Sequence, residues 1–313
     1  MAAAAAARVG DPRSIVVTGA SRGLGLATAA HLYRNGWTVV AAMRSPDDGV
    51  TKLRAATGAD VDDPRLIGVQ LDVVDAGSVA VATRTILAKV GAPDGIVHNA
   101  GIAGVGCLEE MPQEEWERML ATNFLGPVRI TRELLPSMRA AGKGRVVLIS
   151  SMGAVHGMPG IGAYSAGKGA LERWGESLAQ EIAPFGLGVT VLVAGSFKTD
   201  ILELTKSWAD PDGPYGPMHV GLETQGRRAV RFASNPARFA PAVARALEER
   251  RPFIRRGVGI DARLLLVGAR VMPTRAIQAV VRTVLGLPRP GTLQRDDRRC
   301  APIAAVEDRR PVL

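Results

Sequence analysis

Short aliphatic runs rich in valine and isoleucine recur along the first two thirds of the chain, and between them apolar positions return every three or four residues. "SIVVTG", "WTVVAAM", "RLIGVQLDV", "DGIVHNAG", "RVVLISS" and "GVTVLVAG" are predicted strands. They are apolar throughout instead of alternating, the mark of strands covered on both faces. "GLATAAHLYRNG", "GVTKLRAATG", "AGSVAVATRTILAKVG", residues 112–141 and the segment from about Tyr164 to Pro184 are predicted helices. Alternating βα units of this length imply right-handed crossovers and an α/β fold with a doubly wound parallel sheet, helices on both faces.

After Gly195 the rhythm breaks. Residues 196–236, rich in Pro, Gly, Asp, Trp and Met, are expected to form an irregular lid. A helix at "APAVARALEER", a seventh strand at "PFIRR" and two amphipathic helices meeting at Pro273 close the unit. We therefore expect a disordered leader over 1–12, one domain over 13–289 and a flexible basic tail over 290–313.

Composition narrows this picture. Of 313 residues 47% are hydrophobic and 22% charged, which suits a sizeable core. Two distant cysteines exclude a disulfide framework and fit a reducing, cytoplasmic setting. The net charge of +9 is concentrated late, with nineteen arginines against eight acids from Glu223 onward. With 4% aromatic residues and no groove-reading motif, this does not indicate nucleic-acid binding. The late helices carry Arg263, Arg270, Arg275 and Arg282 and cannot span a bilayer cheaply, which leaves open a peripheral membrane contact through them.

"VVTGASRGLGLA" places Gly19, Gly23 and Gly25 between the first strand and the first helix. Glycine lets the backbone approach a pyrophosphate, and the helix start beyond supplies unpaired N–H groups. Preference for the dinucleotide lacking a 2′-phosphate usually needs an acid at the end of the second strand. Here that strand ends in Met43 and Arg44, with Arg22 inside the loop. Two guanidiniums and no acid select NADP(H) over NAD(H).

In "AYSAGKGAL" Tyr164 precedes Lys168 by one helical turn, so both project from one face among residues too small to block a ligand. A nearby ammonium lowers a phenol toward the range useful for general acid–base work. The four histidines, His31, His98, His156 and His219, show no metal-ligand spacing, and no metal is expected.

The sequence resembles the short-chain dehydrogenase/reductase family, in its short single-domain branch, over about Ser14 to Thr199. "TGASRGLG" is similar to the family's cofactor loop, "LDV" to its adenine-contacting segment and "HNAG" to its NNAG motif, with His98 for the first Asn. "ATNFLG" matches the catalytic Asn at Asn123, and "LISSMG" the catalytic Ser at Ser151. "VAGSFKT" resembles PGxxxT, with Ala194 for Pro, a change expected to loosen that turn. The resemblance implies a Rossmann-type fold and a dinucleotide held by Gly19, Ser21, Arg22, Gly23, Leu24, Gly25, Arg44, Asp72, Val73, Asn99, Ala100, Gly101, Gly195, Phe197 and Thr199, with Tyr164 and Lys168 also in contact. It implies that Tyr164 exchanges the proton and that Lys168 holds the ribose and lowers the Tyr164 pKa. It implies likewise that Ser151 binds the carbonyl oxygen and that Asn123 anchors a water leading from Lys168. Ser150, the rival for Ser151, is expected to face the other way.

Leu202, Leu204, Trp208, Tyr215, Met218 and Leu222 in the expected lid point to a bulky apolar alcohol or ketone, steroid-, retinoid- or lipid-like, with His156, Leu202 and Trp208 as candidate substrate contacts. A homodimer or homotetramer is expected. Alternatives are a 3-oxoacyl- or polyketide-type carbonyl reductase of the same family, and, in another class, a non-catalytic NADP(H)-binding or peripheral lipid-binding protein.

Overall fold

A computed structural model describes residues 13–201 and 204–293. The expected leader, Leu202, and all of the expected tail beyond residue 293 lie outside the described residues. Strands β1 (Ser14–Thr18), β2 (Thr38–Met43), β3 (Leu66–Gln70), β4 (Gly95–His98), β6 (Gly144–Ser151), β7 (Leu187–Ala194) and β9 (Phe253–Val258) form a seven-stranded sheet. Its order is β3-β2-β1-β4-β6-β7-β9, and every pairing is parallel. Two short strands, β5 (Gly104–Val105) and β8 (Lys206–Ser207), pair separately. Each crossover in the sheet is too long for a hairpin, so helices fill the connections.

Alternate residues of each strand serve opposite layers. Ile15 and Val17 of β1 face Ala29 and Leu32 of α1 (Gly23–Arg34), Leu53 of α2 (Pro46–Thr57) and Val243 of α9 (Ala240–Leu247). Val16 faces the other layer, built from α3 (Ala76–Val90), α5 (Gly126–Ala141) and α7 (Gly162–Ile182). The strand order reverses between β1 and β4. Ligands of open α/β sheets bind in the crevice beyond the strand ends at such a point.

The helix expected over 112–141 is built as α4 (Gln113–Leu120), a π turn at Ala121–Leu125, and α5. Ser151 caps a short helix, α6 (Met152–Val155). The segment expected to be irregular contains a 17-residue helix, α8 (Gly216–Phe232). Its glycines at 216, 221 and 226 lower helix propensity and mask it in the sequence, whereas Pro217 sits in its first turn, where proline is tolerated. The last helices, α10 (Ile260–Val271) and α11 (Thr274–Val284), meet at Pro273 as expected.

Candidate active site

The glycine turn sits at the crevice. Gly19 and Gly23 have φ of +66° and +53°, where a side chain is strained. Gly25 is held by crowding instead: a Cβ there would lie 2.2 Å from the Gly19 carbonyl oxygen and 2.4 Å from Asn99 Nδ2. Asn99 Nδ2 donates to the carbonyls of Thr18 and Gly19, each at 3.0 Å, and Thr18 Oγ1 accepts from the amides of Asn99 and Ala100, each at 3.1 Å. These bonds lock the ends of β1 and β4 together and leave the turn's backbone facing the crevice, the shape a dinucleotide pyrophosphate requires.

The other cofactor candidates surround this turn unequally. Thr199 lies close enough that a Cβ on Gly23 would be 3.3 Å from its own. Asp72 Oδ1 accepts from the Val74 amide at 3.1 Å, and the Asp72 amide donates to Ser78 Oγ, which fixes the bend after β3 beside buried Val73. Arg22 and Arg44 are exposed, at the turn and just past β2, whereas Ser21 and Leu24 are half-buried. Phe197 is buried edge-on against Phe239, so its side chain belongs to the core. Two backbone amides hold the turn that follows Ala194. The Gly195 amide donates to Val258 O at 2.9 Å and the Ser196 amide to Asp261 Oδ2 at 2.7 Å.

On the chemical side, β6 ends where α7 begins. Ser151 lies beside Tyr164 and its Oγ accepts from the Gly153 amide at 3.4 Å, whereas Ser150 turns away and donates to Glu172 Oε1 at 2.6 Å. The π turn carries Asn123 into the interior. Its Nδ2 donates to Ile102 O at 2.9 Å and its Oδ1 accepts from the Ile102 amide at 3.0 Å. Such single wide turns commonly mark functional sites. A Cβ on Gly101 would meet Asn123 Oδ1 at 2.9 Å and Lys168 Nζ at 3.5 Å, so Gly101 leaves these two groups room to approach.

Lys168 is buried and its ammonium donates to Ile149 O at 2.8 Å, 6.0 Å from the centre of the Tyr164 ring. Burial pushes the amine down to about 8, against the pull of the Glu172 carboxylate. The expected lowering of the phenol by this amine is corrected: burial raises the Tyr164 pKa, and the group opposing that rise is Ser151. His98 is buried, with Nε2 2.8 Å from Thr131 Oγ1, and is driven to about 3 by desolvation and then by Lys168.

Trp208 is buried with Met111, Met119 and Ala163, and Ile102, Trp116 and Tyr164 pack on this cluster. It thus belongs to an apolar wall beside the phenol. His156 is half-buried and ends α6. Sequence reasoning missed Trp116 and Met119, whose α4 faces solvent with its other side, and missed Glu172, an acid on an apolar stripe. It also missed a grouping that only the fold makes. Cys107, Glu110 and His219 are buried together, and Glu110 accepts from the Cys107 amide at 2.7 Å and lies 2.7 Å from His219 Nε2.

A phenol, a hydroxyl and a buried amine that converge beside a glycine turn at the sheet's switch point define a site for dinucleotide-dependent oxidoreduction. The sequence model described as short chain dehydrogenase matches residues 13–210, and the chain belongs to that family. Its members bind a nicotinamide dinucleotide and act on alcohol or ketone groups. The chain is 31% identical to the 3-ketodihydrosphingosine reductase of Bacteroides thetaiotaomicron, over 87% of this chain and 97% of that protein. It is 32% identical to the retinol dehydrogenase 5 of Mus musculus, over 88% and 89%. A solved short-chain dehydrogenase from Streptomyces avermitilis superposes with a TM-score of 0.74 at 33% identity, covering 88% of this chain and 97% of that one.

Proposed function

We propose that the protein is an NADP(H)-dependent reductase that interconverts a ketone and a secondary alcohol on a bulky apolar substrate, with Tyr164 as the proton donor. The observation that carries this reading is the placing of Tyr164 beside Ser151, over buried Lys168 and against the apolar wall. When bound, the nicotinamide supplies the hydride; the chain's residues do the rest. Ser151 orients the carbonyl oxygen and stabilises its growing charge. Tyr164, kept protonated by burial, gives that oxygen its proton. Lys168, largely cationic at neutral pH with its value near 8, holds the ribose hydroxyls. Asn123 fixes the Ile102 backbone beneath the site and leads a water toward Lys168.

Arg22 and Arg44, exposed at the glycine turn and beyond β2, suit a 2′-phosphate. The apolar wall of Met111, Trp116, Met119 and Trp208 suits a lipid-like ketone, as do the names of the two relatives, one a sphingoid ketone reductase and one a retinol dehydrogenase. Assembly as a homodimer or homotetramer belongs to the same reading. The test is to follow nicotinamide absorbance with apolar ketones and with each cofactor. Tyr164→Phe is expected to lower kcat by about a hundredfold or more while leaving NADPH binding unchanged. Wild-type rates in that variant would refute the proton role, and equal efficiency with NADH the cofactor assignment.

A further inference from the structure

The C-terminal helix α10 buries Ala262 against the body of the protein, while its opposite side is apolar and uncovered. Ile260, Leu264, Val267 and Val271 are 77%, 68%, 62% and 71% exposed. Their spacing puts them within about 60° of one another around the helix axis, a continuous ridge. Arg263 and Arg270, both exposed, border it along one side, and Arg263 Nε donates to Gly257 O at 3.3 Å. Val280 and Val284 of the next helix, α11, are exposed as well. Scattered apolar residues on a surface need no explanation; an aligned ridge of this kind does.

Charge decides what covers it. From Ile260 to Leu293 the chain holds five arginines and one carboxylate, Asp261. That carboxylate is turned inward, accepting from the amides of Ser196 and Ala262. A second copy would bring the same arginines against one another. Residues 294–313, with five arginines and four acids, carry no net negative charge to offer. An anionic lipid surface meets both demands, an apolar layer for the ridge and phosphates for the arginines.

We infer that α10 docks the protein on the surface of an anionic bilayer. The helix also packs on α6, which Ser151 caps, so docking places the crevice beside the bilayer. Substrate would then be drawn from the membrane; that link rests on the apolar-substrate reading above, whereas the docking itself does not. No helix among the described residues is long and apolar enough to cross a membrane, in keeping with a helix lying in the interface.

The test is cosedimentation of the full-length protein with phosphatidylcholine vesicles, with and without phosphatidylglycerol. Binding is expected with phosphatidylglycerol only, weakening as salt rises. The double variant Leu264→Glu, Val267→Glu is expected to weaken binding at least about tenfold, and Arg263→Glu, Arg270→Glu to remove the phosphatidylglycerol dependence. These positions are exposed, so thermal unfolding and turnover of a water-soluble ketone are expected to be unchanged. Tyr164→Phe is expected to bind vesicles like the wild type, so the chemistry and the docking fail separately. Absence of wild-type binding, equal binding to phosphatidylcholine alone, or undiminished binding of the Leu264→Glu, Val267→Glu variant would overturn the inference. So would a fall in sedimenting mass in that variant without vesicle binding, which would assign the ridge to a second copy.

Discussion

Lys168 keeps a charge in the interior because a carboxylate lies one helical turn further on. Glu172 is buried on the same face of α7, accepts from Ser150 Oγ and pairs with Arg255 Nη2 at 2.5 Å. Burial raises the Glu172 pKa overall, and Ser150 first and then Arg255 oppose that rise. His98, driven to about 3, adds no charge near Lys168 at neutral pH. Two consequences follow from the sign. Carbonyl reduction should fall as pH rises through about 8, where the Lys168 ammonium loses its proton. In Glu172→Gln the amine loses its support, its pKa drops further, and the fall should begin at lower pH. A pH profile of kcat for the two proteins checks this; superimposable profiles would show that Glu172 serves packing alone. Thermal unfolding of the variant should show a cost of about 1–3 kcal/mol, since Arg255 loses its anionic partner.

At the scale of elements, the join between β1 and α1 depends on backbone lying against backbone. Gly25→Ala would drive its new methyl into the Gly19 carbonyl and Asn99 Nδ2, the atoms that hold the turn to β4. Neither is a flexible chain end, so the turn must shift. Affinity for NADPH, read by fluorescence titration, should fall about tenfold or more, with a stability loss of about 1–3 kcal/mol from overpacking. The same substitution at Gly226, exposed in α8 with nothing within 4 Å of a new Cβ, should instead gain about 0.5–1 kcal/mol. Equal effects at the two sites would show that contact geometry at Gly25 is not what selects glycine. The π turn at Ala121–Leu125 works on the same principle: the extra residue in one turn lets Asn123 bond both polar groups of Ile102.

The whole molecule is closed over its site by contacts remote in sequence. Pairing of β5 with β8 and the bond from the Trp208 amide to Val105 O lay the segment after β7 across the loop after β4. Glu110 fastens the two, taking the Asp210 amide at 3.3 Å and His219 Nε2, while Tyr215 donates to Glu109 at 2.7 Å. Removing the imidazole in His219→Ala should loosen this fastening. Amide hydrogen exchange at Trp208 and Asp210 should speed up by about tenfold, and KM for apolar ketones should rise more than kcat falls. Unchanged exchange would mean that the apolar packing of Trp208 holds the segment by itself.

The apolar strands, the glycine turn and the Tyr164–Lys168 spacing were decided by the sequence alone, because a strand covered on both faces, a backbone that must pass close to another, and two side chains one helical turn apart are all set by local residue order. The same holds for the opposite facing of Ser150 and Ser151, which follows from the pleat. Tertiary structure decided the rest. It turned the phenol's pKa upward, since desolvation depends on what surrounds a group and not on its neighbours in sequence. It formed α8 from a stretch that reads as a loop, because packing outweighs weak helix propensity. It made Glu172 a buried partner through Arg255, and brought Cys107, Glu110 and His219 together, across distances along the chain that no spacing rule reaches.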